Sequence, residues 1–224
     1  MLKRGFTLIE VLVTLVILLF GLLGIAGLMA KGQRAAFEAF QRQQALALAA
    51  DMAERVLGNR SQAAGYAAAA PLLTPVGNNY GLFYADLLKN NITNCATATC
   101  TALDLQRYDI AMWEGLLLGY GERLAVGNPA IGGIGGIVNA NGCIEQLAVT
   151  SANCPAPPAP PGSLFTRTLR ISVAWQGSEN TGTPTASTCG TGFYRGVNNL
   201  GVYAVSEASR RLIATDVNVL EVCP

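Results

Sequence analysis

Met1-Leu-Lys3-Arg4-Gly5-Phe6-Thr-Leu-Ile-Glu10 opens the chain, and an almost unbroken apolar run follows to about Ala30. From Phe6 to Ala30 is roughly 25 residues, enough to cross a hydrocarbon core of ~30 Å at ~1.5 Å rise per residue. Lys3 and Arg4 precede the run, which keeps the N-terminus cytoplasmic and exports the rest. An ordinary secretory signal has a shorter core followed by a small-x-small site. Leu28-Met29-Ala30 is a poor version of such a site, and the break in character falls before the helix, at Gly5-Phe6. Glu10 is the anomaly, since a carboxylate near one end of a membrane helix costs ~2–3 kcal/mol unless paired or close to the headgroups. It either sits at the interface or meets a positive charge supplied by assembly. Cleavage after Gly5 would give Phe6 an α-amino group about one helical turn from Glu10. A neighbouring subunit's amine would serve equally.

The helix is expected to continue beyond the bilayer. Lys31 to Leu57 is rich in Ala, Gln, Leu, Glu and Arg and has no Pro. Phe37, Phe40, Gln44, Leu48, Met52 and Val56 recur at helical spacing as a mainly apolar stripe. Gly58-Asn59 is a C-terminal stop. Phe6 to Leu57 would then be one helix of about 52 residues, ~78 Å long. A filament with a helical core needs such a rod, and a soluble domain rarely does. Gly21, Gly24 and Gly27 each cost ~0.8–1 kcal/mol of helix propensity relative to Ala. They read either as small-residue helix packing in the membrane or as a soft segment that bends when the subunit leaves it.

At 224 residues, one exported domain behind one anchor is the economical count. The formal charge is +1, and without Lys3 and Arg4 the 15 basic side chains fall to 13 against 14 acidic. Near-neutrality gives no case for nucleic-acid binding. Six cysteines, Cys95, Cys100, Cys143, Cys154, Cys189 and Cys223, all lie on the exported side and read as disulfides. Six cysteines allow 15 pairings, and sequential pairing is the expectation: Cys95–Cys100, Cys143–Cys154 and Cys189–Cys223. Zinc is the weaker reading, without a C-x-x-C and without any histidine.

Residues 60–102 are rich in Ala, Asn and Thr, a loop-rich connection with short helical pieces around Tyr84 to Lys89. Leu103 to Leu118 reads as a helix with Leu105, Tyr108, Met112, Trp113 and Leu116 as its core face. The glycine-rich stretch from Ile131 to Val138 lacks a phosphate-binding pattern and reads as the approach to a strand. Strands are expected at Cys143 to Thr150, Thr166 to Trp175 and Arg211 to Val222. In the second, Leu169, Ile171, Val173 and Trp175 share one face. The prolines of 155–161 read as a solvated spacer. The sum is α+β: a long N-terminal helix laid on an antiparallel sheet.

No nucleophile elbow, zinc-protease, P-loop or EF-hand pattern occurs, and the absence of histidine removes the commonest general base. A non-enzyme with no cofactor and no metal is the expectation.

Gly5-Phe6-Thr7-Leu8-Ile9-Glu10-Val11-Leu12-Val13 resembles the class III signal of type IV pilins and type II secretion pseudopilins. The resemblance implies cleavage after Gly5 by a prepilin peptidase, methylation of the new Phe6 amine, and Glu10 as the assembly carboxylate. Gly21-Leu-Leu-Gly24, Asp51-Met-Ala-Glu54-Arg55, Asn59-Arg60, Tyr108-Asp109 and Trp113 make the chain most similar to minor pilins of the PilV type. The strong part of the likeness covers about the first 60 residues. The Cys189–Cys223 pairing resembles the C-terminal disulfide loop of pilins. The implied organisation is a leader at 1–5, a transmembrane half-helix at 6–30, a periplasmic amphipathic half at 31–58 and a disulfide-bonded pilin head at 59–224. The implied partners are the peptidase, other major and minor pilins and an inner-membrane assembly platform. The expected route is single-pass insertion with the head periplasmic, then the fibre at the cell surface, with adhesion as a further role. The rivals are a minor pseudopilin of a type II secretion system, a membrane-tethered periplasmic binding protein, and an exported enzyme.

Overall fold

A computed structural model describes Gly5 and residues 7–77, 82–89, 91–119, 136–150, 163–197, 203–205 and 207–223. The chain divides into two compact units, Met1–Phe40 and Gln41–Pro224. Helix α1, Leu8–Gly58, runs 51 residues through both. Its end at Gly58 agrees with the stop read at Gly58-Asn59.

In the first unit the described part of α1 buries nothing within the chain, and Leu8, Phe20, Leu22 and Leu28 are among its exposed side chains. Thr14 satisfies its hydroxyl on the Val11 carbonyl at 2.9 Å, which lets one polar residue sit in an apolar helix.

The second unit begins with the last turns of α1. Next come α2 (Ala63–Ala69), β1 (Val76–Gly77), α3 (Leu82–Leu88), α4 (Ala102–Leu117), β2 (Asn141–Thr150), β3 (Leu164–Gln176), β4 (Arg195–Val197), β5 (Tyr203–Val205) and β6 (Arg210–Val222). The main sheet is antiparallel in the order β1-β2-β3-β6, and β4 pairs with β5 in a separate hairpin. The expected α+β architecture is the one observed, and its three expected strands extend by one or two residues at one or both ends.

The alternation in β3 works as read. Leu169, Ile171, Val173 and Trp175 are buried in a core shared with Ile144, Val217 and Val219 and with Met52, Val56, Tyr66, Ile110 and Trp113 from the helices. Gly142 lies opposite Val173 on β2, and a Cβ there would run into the Trp113 ring, so the sheet accepts the indole only because that position is bare. Cys143, Ala174, Cys189 and Tyr194 form a smaller buried cluster of their own.

Two helix faces differ from expectation. On α1 the buried residues are Gln41, Ala45, Ala49, Met52, Ala53 and Val56, while Phe37 and Phe40 remain 51% and 54% exposed. Alanine at 45, 49 and 53 lets the α1 backbone pack closely in the core, so small residues rather than large ones mark the buried stripe. On α4 only Trp113 of the expected face is buried, and Leu116 is exposed. The buried side includes Gln106, Asp109, Ile110 and Glu114. Hydrogen bonds to other elements turned polar residues inward, and a count of apolar positions cannot see them.

The disulfides need a larger correction. Cys95–Cys100 forms as expected, closing a short loop just before the Thr101–Asp104 capping box that starts α4. Cys143 pairs with Cys189, with Cα atoms 5.8 Å apart, and so neither Cys143–Cys154 nor Cys189–Cys223 of the sequential scheme forms. The cause is non-local: Cys143 lies opposite Ser172 on β3, and Cys189 Sγ sits 3.8 Å from the Ser172 carbonyl oxygen. Cys223 is disulfide-bonded too, but not to Cys189, which the Cys143–Cys189 bond occupies. Cys154, the 155–161 prolines and most of the glycine-rich 131–138 stretch lie outside the described residues.

Candidate processing and assembly segment

The segment is built by the start of α1. Thr7 precedes Leu8, and its Oγ1 and carbonyl oxygen accept the Glu10 amide at 3.4 and 3.1 Å. This is an N-cap, with Glu10 as the acidic residue of the first turn. An exposed carboxylate there faces the positive end of the helix dipole, a favourable placement of ~0.3–1 kcal/mol. The Thr7-x-x-Glu10 spacing is present in the sequence itself, and it gives Glu10 a local helix-starting role beside the interfacial and pairing roles. Gly5 is exposed, and a Cβ on it would meet nothing within 4 Å. The same holds at Gly21, Gly24 and Gly27. Among the described residues no contact requires any of these glycines. Phe6 lies outside the described residues. The helix has an 18-residue window of mean hydropathy 2.8, none of it buried within the chain, so it is long and apolar enough to cross a membrane.

Of the motifs past residue 50, Asp51, Arg55, Asn59 and Asp109 join Tyr66 in one partly buried polar network in the second unit, while Glu54 and Arg60 are exposed. Arg55 Nε bonds Asp51 at 2.8 Å and Arg55 Nη1 bonds Asp109 at 3.0 Å. The Tyr66 hydroxyl donates to the other oxygen of Asp109 at 2.5 Å. Asn59 Nδ2 donates to the Tyr66 oxygen at 3.3 Å and to the Ala102 carbonyl at 2.7 Å. Trp113 Nε1 donates to the Leu48 carbonyl at 2.9 Å. Burial alone would lower the Arg55 pKa, but Asp51 and Asp109 outweigh it and leave it above its ordinary value. Burial, reinforced by the bond to Asp109, raises the Tyr66 phenol well above its usual range, so it remains a donor. The network fastens the end of α1 to α2 and α4. Tyr66→Phe should therefore cost ~1.5–3 kcal/mol, the worth of a hydrogen bond to a charged group. Chemical denaturation compared with wild type checks it, and a loss below ~0.5 kcal/mol contradicts it.

Glu114, fully buried, carries no signal in the sequence that marks it out. Its carboxylate accepts the Tyr84 amide at 2.7 Å and the Gly77 amide at 3.4 Å, holding β1 and α3 against α4. No group of three or more His, Cys, Asp or Glu side chains able to hold a metal occurs among the described residues.

Residues 1–26 match the family model described as the prokaryotic N-terminal methylation motif. No match was found among curated proteins or solved structures. The motif is the kind of site that prepilin peptidase recognises, and it points to a structural subunit rather than an enzyme. The apolar helix behind it suits membrane anchoring. The motif at 1–26, that helix and the disulfide-bonded α+β head together support a type IV pilin-like prepilin.

Proposed function

We propose that the chain is a minor pilin of a type IV pilus. It enters the inner membrane through residues 6–30 with the head periplasmic, is cut after Gly5, is methylated on Phe6 and is built into the fibre or its initiating complex. Surface display, and adhesion through it, follows from that place in the fibre. The observation carrying the proposal is the register of basic leader, Gly5, Phe6 and Glu10 at the start of an apolar helix inside the methylation-motif match. Gly21, Gly24 and Gly27 support it, because glycines with open space around them leave room for close helix contact with other subunits.

Gly5→Val tests the processing step. A side chain at Gly5 meets no obstacle among the described residues, so its effect reports on the peptidase that must close on this backbone. The expected result is unprocessed protein, read as retention of the leader by mass spectrometry. Normal cleavage of Gly5→Val would contradict the assigned site. Deleting the gene separates the fibre reading from a secretion pseudopilus: loss of surface fibres supports the first, and loss of protein secretion with intact fibres supports the second.

A further inference from the structure

We infer that Arg210 selects the Cys143–Cys189 disulfide, by folding the loop that carries Cys189 onto the sheet before the bond forms. Chain statistics favour a different bond. Cys154 follows Cys143 by 11 positions (154 − 143), whereas Cys143 and Cys189 have a sequence separation of 46. Loop closure that weakens with the three-halves power of length then favours Cys143–Cys154 about ninefold in an unstructured chain. Structure around Cys189 has to overturn that bias.

Residues 177–194 form bends and turns but no helix or strand, so no ladder places them. Arg210 takes over that task. It is the first residue of β6, opposite Gln176 at the end of β3, and beside it the Gly177 amide bonds the Ser209 carbonyl at 2.8 Å. Arg210 is only 2% exposed. Its Nη1 donates to the Ser187 and Cys189 carbonyls at 2.9 and 3.1 Å, and its Nη2 to the Pro184 carbonyl at 3.1 Å. Nε donates to Glu207 at 2.6 Å, and the other Glu207 oxygen accepts the Gly192 amide at 2.8 Å. The clamp thus grips the chain on both sides of Cys189 and at Cys189 itself. Cys189 Sγ lies 3.8 Å from the Asn141 and Ser172 carbonyl oxygens, and Cys143 stands opposite Ser172 in register. A guanidinium presents its N–H groups in a fixed planar fork, whereas an ammonium donates from one point. When the bond forms, the two thiols lose two protons and two electrons to a disulfide-bearing oxidant, which becomes its dithiol. Arg210 is a positioning residue in that step, acting through the backbone around Cys189. This role lies in the head alone and is independent of the proposed place in a fibre.

The test refolds reduced, unfolded full-length protein in detergent with oxidised and reduced glutathione, and maps its bonds by non-reducing peptide mass spectrometry. Wild type should form Cys143–Cys189 with little Cys143–Cys154. In Arg210→Gln the ratio should move toward the ~ninefold excess of Cys143–Cys154 that an unstructured chain gives. Arg210→Lys keeps a cation opposite Glu207 but loses the fork, and should mispair as well. Tyr66→Phe weakens the head elsewhere and should pair as wild type does, which separates positioning from a general loss of stability. Wild-type pairing in either Arg210 variant, or equal mispairing in Tyr66→Phe, overturns the inference.

Discussion

Glu10→Leu is expected to insert and be cleaved normally yet enter fibres at least tenfold less than wild type, with the protein accumulating in the inner membrane. In lipid the Glu10 charge costs ~2–3 kcal/mol. In a filament core it can meet an α-amino group, its own after cleavage at Gly5 or a neighbour's, where the low dielectric strengthens the pair. The substitution removes that pair and makes the free monomer more comfortable in the bilayer. Both changes oppose assembly, and a differential of ~2 kcal/mol is already about thirtyfold. The local role of Glu10 predicts something else: loss of its dipole contribution would fray α1 by under ~1 kcal/mol and leave incorporation unchanged. Thr7→Ala separates the two, since it removes the cap acceptor at 3.4 Å and keeps the carboxylate. Fractionation of membrane and fibre pools reads the result, and Glu10→Leu at wild-type levels in fibres would return Glu10 to the helix cap.

The second large effect is in the head. Replacing Cys143 and Cys189 together with serine should destabilise it by roughly 4 kcal/mol in the chain-entropy model, because the crosslink spans a sequence separation of 46. Both cysteines are fully buried beside Tyr194 and Ala174, so the serine hydroxyls would add a desolvation cost. The same change at Cys95 and Cys100, a separation of 5 in a largely exposed loop, should cost clearly less. Denaturant midpoints of the two double variants make the comparison. Equal losses would contradict a dominant role for the Cys143–Cys189 bridge in holding the head together.

These cases also show what a sequence can carry. The apolar run and its stop at Gly58 were legible because both are local: hydropathy and a helix terminator need no tertiary partner. The β3 face was legible because alternation from Leu169 to Trp175 maps directly onto a half-buried strand. The bridge from Cys143 to Cys189 was not, since it depends on the 184–189 loop folding back over β3, where Arg210 holds the Pro184, Ser187 and Cys189 carbonyls. The α4 face was illegible for a related reason, because Asp109 and Glu114 are buried by partners 30 to 54 residues away. Helix α2 is hidden inside an alanine-rich stretch that carries no charge pattern. Glu10 stands out as a lone carboxylate in an apolar run, and Gly5 and Phe6 take their roles from the resemblance to the pilin signal, whereas the Thr7 cap, written in the same residues, shows itself only once the helix start is placed.

The mass of the mature N-terminus tests the central claim most directly. Protein recovered from membranes or fibres should begin at Phe6 and carry one additional methyl group on its α-amine, with Met1 to Gly5 absent. A mature chain that retains Met1 or Leu2, or begins at Phe6 with an unmodified amine, would contradict the account.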